Sequence, residues 1–185
     1  MKLLNAINRI LPALGENPID SIDSRNPTVA VVNNAILAKL NDTMTREWWF
    51  NTYVTTLFPN DTGKVALPSN TIAWLPKDTN SIQRGGFLYN GDTMTFEWPV
   101  GVGLEGVLKI TVPFEELPEA AATFVLYSAC IQAYVNDIGL EDTVQEWKEQ
   151  EGRALIVLEA EHLRNRKYTT QSSRRYGRYR QALRG

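Results

Sequence analysis

The sequence has one cysteine and one histidine, and it lacks any long apolar run. Because Cys130 is alone among 185 residues, an intramolecular disulfide and a zinc site built from cysteines are both excluded. No apolar stretch approaches the ~18 residues that a membrane span needs, and polar residues interrupt the start of the chain, unlike a signal peptide. The composition therefore predicts a soluble protein that is made in a cytoplasm and has no membrane segment.

Acidic residues are missing from the C-terminal end of the chain. From Arg164 onward there are eight basic residues and no acidic one. Residues 1–163 hold the remaining 11 basic residues against all 21 acidic ones, which gives this part a net charge of −10. An acidic body joined to a basic tail is typical of a docking arm or of a nucleic-acid-binding arm.

Four helices are predicted, two on each side of a β-rich segment. Apolar spacing predicts a first helix over 2–14, which Pro12 should shorten or kink. Asn26-Pro27 is a cap followed by a proline that tolerates the first turn, so a second helix is expected over 27–45. The third should run from Pro118 to about residue 137. The fourth, over 141–167, would be roughly 40 Å long, so its end should protrude.

Between the helices the residues favour short strands. These are predicted near 50–57, 64–67, 72–75, 87–89, 94–97 and 106–112. Asn90-Gly91 is expected to form a tight hairpin turn, because both residues tolerate positive φ. Gly85-Gly86 lacks the lysine and the helix of a phosphate-binding loop, so we expect a plain turn there.

The predicted fold class is α+β. Residues 1–49 and 113–167 form a four-helix bundle with a long C-terminal helix, and residues 50–112 form a β-rich insertion. Residues 168–185 form an extended basic tail. Trp48, Trp49 and Phe50 should fill the junction between the bundle and the insertion rather than present a stacking surface for bases.

Catalysis has few candidates in this sequence. A triad would have to use His162, which we expect to be a solvated surface residue, and Cys130 is expected to be a core residue. A glycan hydrolase needs only two carboxylates across a cleft. The carboxylates that could be nominated are Glu97, Glu105, Glu115, Glu116 and Glu119. Acids ahead of a helix also serve as ordinary capping groups, so the prediction is that the protein is not an enzyme and needs no metal or cofactor.

The tail interleaves tyrosine with arginine. Its candidate contact residues are Tyr168, Arg174, Arg175, Tyr176, Arg178, Tyr179 and Arg180. Arginine and tyrosine suit phosphate contact and base stacking, but they are also enriched in protein interfaces. A DNA-binding tail and a protein-docking tail therefore both remain open, beside a solvated tail without a partner. An acidic body argues against general nucleic-acid binding, and it suits a channel through which DNA slides without sticking.

Four segments together resemble the tail tubular protein A family of short-tailed bacteriophages (podoviruses). They are the opening helix and its Gly-Glu-Asn-Pro end at 4–18, Trp-Phe-Asn at 49–51, residues 84–90, and Phe-Glu-Glu-Leu-Pro-Glu at 114–119. Each segment is short, and their shared order and spacing carry the resemblance.

The resemblance implies a structural virion protein of the head-to-tail junction. Such an adaptor forms a homo-oligomeric ring of twelve subunits in the tail and is assembled in the host cytoplasm. It binds the portal protein through its C-terminal segment, which here is 168–185, and it joins the tail nozzle, a protein like tail tubular protein B. The genome passes through its channel without specific binding. The alternatives are a DNA-binding protein that acts through its basic tail and, beyond that, a carboxylate-dependent glycan hydrolase used in entry.

Overall fold

The computed structural model describes residues 1–22 and 25–166. Helix α1 spans Leu3–Ile10 and continues as a 3₁₀ turn over Leu11–Leu14, which fits the predicted effect of Pro12. Helix α2 spans Pro27–Met44. Its first turn is capped as predicted, since the Asn26 side chain accepts a hydrogen bond from the Thr28 N–H.

The second pair of helices follows the β-rich segment. Helix α3 spans Glu119–Asp137 and begins directly after Pro118, as predicted, and helix α4 spans Thr143–Asn165. Helix α3 packs against both α2 and α4, and small buried residues such as Ala121, Ala129 and Ala133 let its neighbours approach closely. The Ser128 hydroxyl also donates a hydrogen bond from α3 to the Glu151 carboxylate on α4. Helix α3 is therefore the centre of the helical layer.

The strands form two antiparallel sheets. Strands β1 (Thr52–Leu57), β2 (Thr71–Pro76) and β5 (Leu104–Ile110) make a three-stranded sheet in the order β1-β5-β2, and β3 (Ser81–Arg84) pairs with β4 (Phe87–Asn90) in a hairpin. A second core lies under these strands. It consists of Val65, Trp74, Leu88, Trp98, Leu104 and Leu108.

One glycine of the larger sheet is required by close packing. The Trp74 ring lies across Gly106, where an added Cβ would come within 2.5 Å of the ring. No side chain other than hydrogen fits between the strand and the indole. Position 106 of β5 therefore has to be glycine for the Trp74 ring to pack in this place.

The fold class and the helices agree with the sequence prediction, but parts of the strand prediction were wrong. The segments 64–67 and 94–97 form only isolated bridges, at Ala66 and at Thr95. Strand β3 was not predicted, because its polar residues hide the pattern of a strand. The predicted strands at 50–57, 72–75, 87–89 and 106–112 correspond to β1, β2, β4 and β5.

The hairpin turn also lies elsewhere than predicted. Gly85 and Gly86, with φ of 57° and 80°, connect β3 to β4. Asn90 instead begins a longer turn, in which its side-chain oxygen accepts hydrogen bonds from the Asp92 and Thr93 N–H groups. An asparagine side chain that holds its own turn does not need positive φ, which is why Asn90-Gly91 misled the prediction.

A buried asparagine joins the helical layer to the sheet. Asn51 is fully buried, and its Oδ1 accepts a hydrogen bond from the Trp48 N–H at 2.9 Å. Its Nδ2 donates to the carbonyl oxygens of Met44 and Arg46, which the end of α2 leaves without helical partners. The Asn51 carbonyl in turn accepts a hydrogen bond from the N–H of Ile110, the last residue of β5. This one residue therefore satisfies polar groups from both parts of the fold.

Replacing Asn51 with alanine should lower the free energy of unfolding by about 3 kcal/mol, because several buried backbone groups lose their partners. Urea titration followed by circular dichroism measures this change. Asn70→Ala is the matched control, since Asn70 is exposed and its side chain makes one hydrogen bond, to the Thr111 carbonyl. Its expected cost is about 1 kcal/mol or less. Equal losses in the two variants would contradict the role given to Asn51.

Candidate functional site

The predicted docking residues lie outside the described residues. This applies to Tyr168, Arg174, Arg175, Tyr176, Arg178, Tyr179 and Arg180. What the structure places is the point from which they start, because Arg166 is the last described residue. The candidate site is therefore built from the end of α4 and the surface that holds it.

The end of α4 rests on the connection between α2 and β1. The His162 ring lies edge-on to the Trp48 ring, with centroids 5.4 Å apart, and 6.1 Å from the Trp49 ring. One turn later the Arg166 guanidinium lies 3.9 Å from the Glu47 carboxylate. We call Glu47, Trp48, Trp49, His162 and Arg166 the helix anchor.

The tryptophans of the helix anchor are themselves fixed by the body. Trp48 is buried, and its indole N–H donates a hydrogen bond to the Thr43 carbonyl at 2.9 Å. Trp49 stacks edge-on against Phe50, with ring centroids 4.9 Å apart. These residues belong to the core of the bundle at the junction with the insertion, as the sequence predicted. Within the helix anchor, Glu47, Trp48 and Trp49 therefore form the packed surface on which the end of α4 rests.

Two sequence predictions are corrected at this place. His162 is not a solvated surface residue, because it is half-buried against the two tryptophans. The described part of α4 does not protrude either, because it contacts the body up to Arg166. The signal was present in the sequence, since Ala154, Leu158 and His162 follow one another at intervals of four residues and so share one helix face.

The surroundings of His162 favour its neutral form. Burial lowers its pKa from the ordinary value of 6.5, and the nearby positive charge of Arg166 lowers it further, while Glu159 acts in the opposite direction. Its Nδ1 is buried and has no hydrogen-bond partner among the described residues. A proton on the ring would therefore add a charge where the packing does not solvate it.

The candidate carboxylates lie in two different parts of the fold. Glu97 and Glu105 belong to the insertion, whereas Glu115, Glu116 and Glu119 lie around the start of α3. Lys77 donates a hydrogen bond of 2.8 Å to Glu105 and, with its charge, lowers the pKa of that carboxyl. A carboxyl that acts as a general acid needs a raised pKa, whereas the pKa of Glu105 is lowered.

Two other kinds of site to consider in the described part of the chain are a reactive thiol and a metal centre. Burial raises the pKa of the Cys130 thiol to about 11, so this residue is a core thiol as predicted rather than a nucleophile. Within residues 1–22 and 25–166, no group of three or more His, Cys, Asp or Glu residues could hold a metal ion. No helix in those ranges is long and apolar enough to cross a membrane.

Two comparisons with known proteins both find similarity to tail tubular proteins. A family model described as tail tubular protein matches residues 4–168. Tail tubular protein A of Klebsiella phage KP34 is 29% identical over 186 residues, which covers 98% of this chain and 98% of that protein. The family match covers all of the bundle and the insertion except the first three residues, and it stops at Tyr168, where the predicted basic tail begins.

Acidification should destabilise the protein through His162. The unfolded chain binds this proton near pH 6.5 and the folded chain only at lower pH, so stability is full above about 6.5 and falls as the pH drops toward the lowered folded pKa. Urea midpoints at pH 7.5 and pH 5.5 measure the loss. His162 is the only histidine, so His162→Gln should remove most of the difference over this range. The same pH dependence in both proteins would contradict this assignment.

Proposed function

Because the chain belongs to the tail tubular protein family, and is therefore a structural component of a bacteriophage tail, we propose that it is the adaptor ring between the portal and the tail nozzle. In this proposal twelve copies surround the channel through which the genome passes. The bundle of residues 1–49 and 113–167 and the insertion of residues 50–112 form the body of the ring. Residues 168–185 form the arm that docks on the portal.

The observation that carries the proposal is the position from which the basic arm starts. The helix anchor holds α4 on the body up to Arg166, so in this proposal the arm starts where the end of α4 contacts the body. An arm of 18 residues spans at most roughly 60 Å when extended, which is enough to reach a neighbouring protein. A fixed origin and a long reach suit a strap that clamps a separate ring.

The charge distribution supports a protein partner for the arm. It also supports a body that does not bind the DNA passing through the channel. The arm is basic, whereas residues 1–163 carry a net charge of −10. An acidic body repels the DNA backbone, so a channel lined by it lets the genome slide without being held. The arm then has its contacts with acidic grooves of the portal, where arginine forms paired hydrogen bonds with carboxylates.

Tyrosine gives the arm a second kind of contact. Tyr168, Tyr176 and Tyr179 alternate with the arginines, and a tyrosine ring fills an apolar pocket while its hydroxyl stays hydrogen-bonded. We propose that the arm folds on binding, with the ordering cost met by these two kinds of contact together. Portal binding then depends on the order of the residues and not only on their charge.

Removal of residues 168–185 should abolish assembly on the portal while the body stays folded. Electron micrographs of the purified protein mixed with its portal measure assembly, and circular dichroism checks the fold. A variant with the same tail residues in scrambled order is the matched control for charge, and it should bind the portal much less tightly than the natural tail. Full-tailed, infectious particles from the truncated protein would refute the proposal.

A second pair of variants separates arginine chemistry from positive charge. Changing Arg174, Arg175, Arg178 and Arg180 to alanine should weaken portal binding by about 100-fold or more, since each charge-assisted hydrogen bond is worth about 1.5–3 kcal/mol. The four lysine substitutions keep the positive charge but lose the planar guanidinium group. Their portal affinity should therefore lie between that of the natural tail and that of the alanine variant. Equal, steeply salt-dependent binding of mixed-sequence DNA by the natural and lysine tails, with no portal binding, would instead favour the DNA-binding alternative.

A further inference from the structure

A groove runs along the surface between α3 and α4. Its volume is about 400 Å³, and its lining includes Ala120 on α3 with Ala154 and Val157 on α4. The two alanines are buried, whereas Val157 is 52% exposed, so the groove offers an apolar floor that water reaches. We call it the α3–α4 groove. A side chain that covered this floor would remove apolar surface from water.

One end of the α3–α4 groove is acidic. Only residues 138–142 connect the two helices, so α3 and α4 run antiparallel and the start of α3 lies beside the end of α4. Glu119 and Glu161 line the groove at this end. Glu161 has no ion pair among the described residues, and Glu119 uses one oxygen for the Met1 amino group while its side chain stays 70% exposed. Both carboxylates are therefore open to a further cation.

The basic arm starts near this acidic end. Arg166 is the last described residue, and Glu161 lies five residues earlier on α4, about 8 Å along the helix axis. Tyr168 follows Arg166 too closely to turn back, because two residues span at most roughly 7 Å. Ten residues lead from Arg166 to Tyr176 and span up to roughly 33 Å, which is enough for a reversal and a return to the groove. The stretch Arg174-Arg175-Tyr176 is therefore within reach of it.

We propose that, before the portal is bound, Arg174-Arg175-Tyr176 of the arm occupies the α3–α4 groove of its own copy. The two guanidinium groups pair with Glu119 and Glu161, and charge-assisted hydrogen bonds of this kind are about twice as strong as neutral ones. The Tyr176 ring covers the apolar floor, with its hydroxyl toward water.

The groove also determines the direction in which the arm enters. Arg153 lines the groove eight residues before Glu161, about 12 Å farther from the acidic end, and lies 3.9 Å from the Glu149 carboxylate. Its positive charge repels the arginines of the arm. The arm therefore enters from the acidic end, where its own arginines find carboxylates.

Charge and chain length select this occupant. Residues 168–185 contain no acidic residue, so no carboxylate of the arm competes with the groove for its arginines. A nucleic acid would bring its phosphates against Glu119 and Glu161 and be repelled. The arm of a second copy has the same residues, but a tethered arm is present at an effective concentration in the millimolar range. The groove is therefore filled first by the arm of its own copy.

The consequence concerns how the arm reaches its partner, and it rests on the proposed function, in which the arm docks on the portal. The same residues cannot contact the groove and the portal at once, so the two surfaces compete. If the groove holds the arm about nine-tenths of the time, the apparent affinity for the portal falls about tenfold. The groove therefore keeps the basic arm from other acidic surfaces until a portal takes it.

Trypsin tests this contact in the free protein, because it cleaves after arginine and reaches the arm only when the arm is unbound. The groove variant carries Glu119→Gln and Glu161→Gln, which remove the two acidic partners and keep the size of both side chains. Cleavage after Arg174 and Arg175, followed by mass spectrometry, should be about tenfold slower in the natural protein than in the groove variant. Circular dichroism checks that the variant is folded.

Two further variants separate the groove from total charge and from the apolar contact. Glu146→Gln with Glu159→Gln removes the same charge at exposed positions of α4 outside the groove, and the arm of this control should be cleaved as slowly as the natural one. The arm of Tyr176→Ser should be cleaved faster, because no ring covers the floor. Added salt should accelerate cleavage of the natural arm and change that of the groove variant little.

The outcomes separate this inference from the proposed function. Equal cleavage of the natural protein and the groove variant overturns the groove contact, and so does equal acceleration in the control. Protection that rises with protein concentration overturns it too, since the arm of a second copy would then fill the groove.

Portal binding is measured separately, and the groove variant should bind the portal about tenfold more tightly than the natural protein. Protection of the arm without portal binding by either protein supports the groove contact while the adaptor role fails. Portal binding without protection of the arm overturns the groove contact and leaves the adaptor role standing.

Discussion

The polar groups at the end of α2 have to be satisfied inside the protein, and the rest of the structure depends on how this is done. Met44 and Arg46 present carbonyl groups that no helical N–H can reach, and the buried amide of Asn51 takes both. The same residue fixes the Trp48 backbone and, through its own carbonyl, the end of β5. The helical layer and the sheet are therefore joined by hydrogen bonds that meet at the buried side chain and backbone of Asn51.

This joint also supports the surface on which the end of α4 rests. Trp48 is held in place beside Asn51, and its ring forms the surface on which His162 rests. A defect at Asn51 would thus be transmitted through Trp48 to the last turn of α4. In the proposed adaptor this connects the stability of the body to the direction in which the docking arm leaves it. The lowered pKa of His162 belongs to the same arrangement, because partial burial against Trp48 and the nearby charge of Arg166 both disfavour the protonated ring.

The proposed function divides the chain by charge. In that proposal the acidic residues 1–163 repel DNA and one another, while the basic arm of residues 168–185 binds a partner with acidic grooves.

The sequence predicted elements well where the signal was local. Asn26-Pro27 and Pro118 indicate where helices begin, because a capping side chain and a proline act on the backbone within one or two residues. The sequence predicted strands poorly where a segment becomes a strand only because another strand pairs with it. Strand β3 is polar and exists because β4 lies beside it, whereas the residues near Ala66 and Thr95 found only one partner each. The helix that carries His162 was predicted, but the surface that covers it was not.

The sequence by itself determined the α+β class, the four helices and the separation of charge along the chain, since each of these is a property of composition or of local spacing. Only the tertiary structure decided which residues meet. It brought His162 onto Trp48, although 114 positions of sequence separate them, and it left a groove open between α3 and α4. Such contacts depend on the packing of α3 between its neighbours, and no single segment of the chain contains that information.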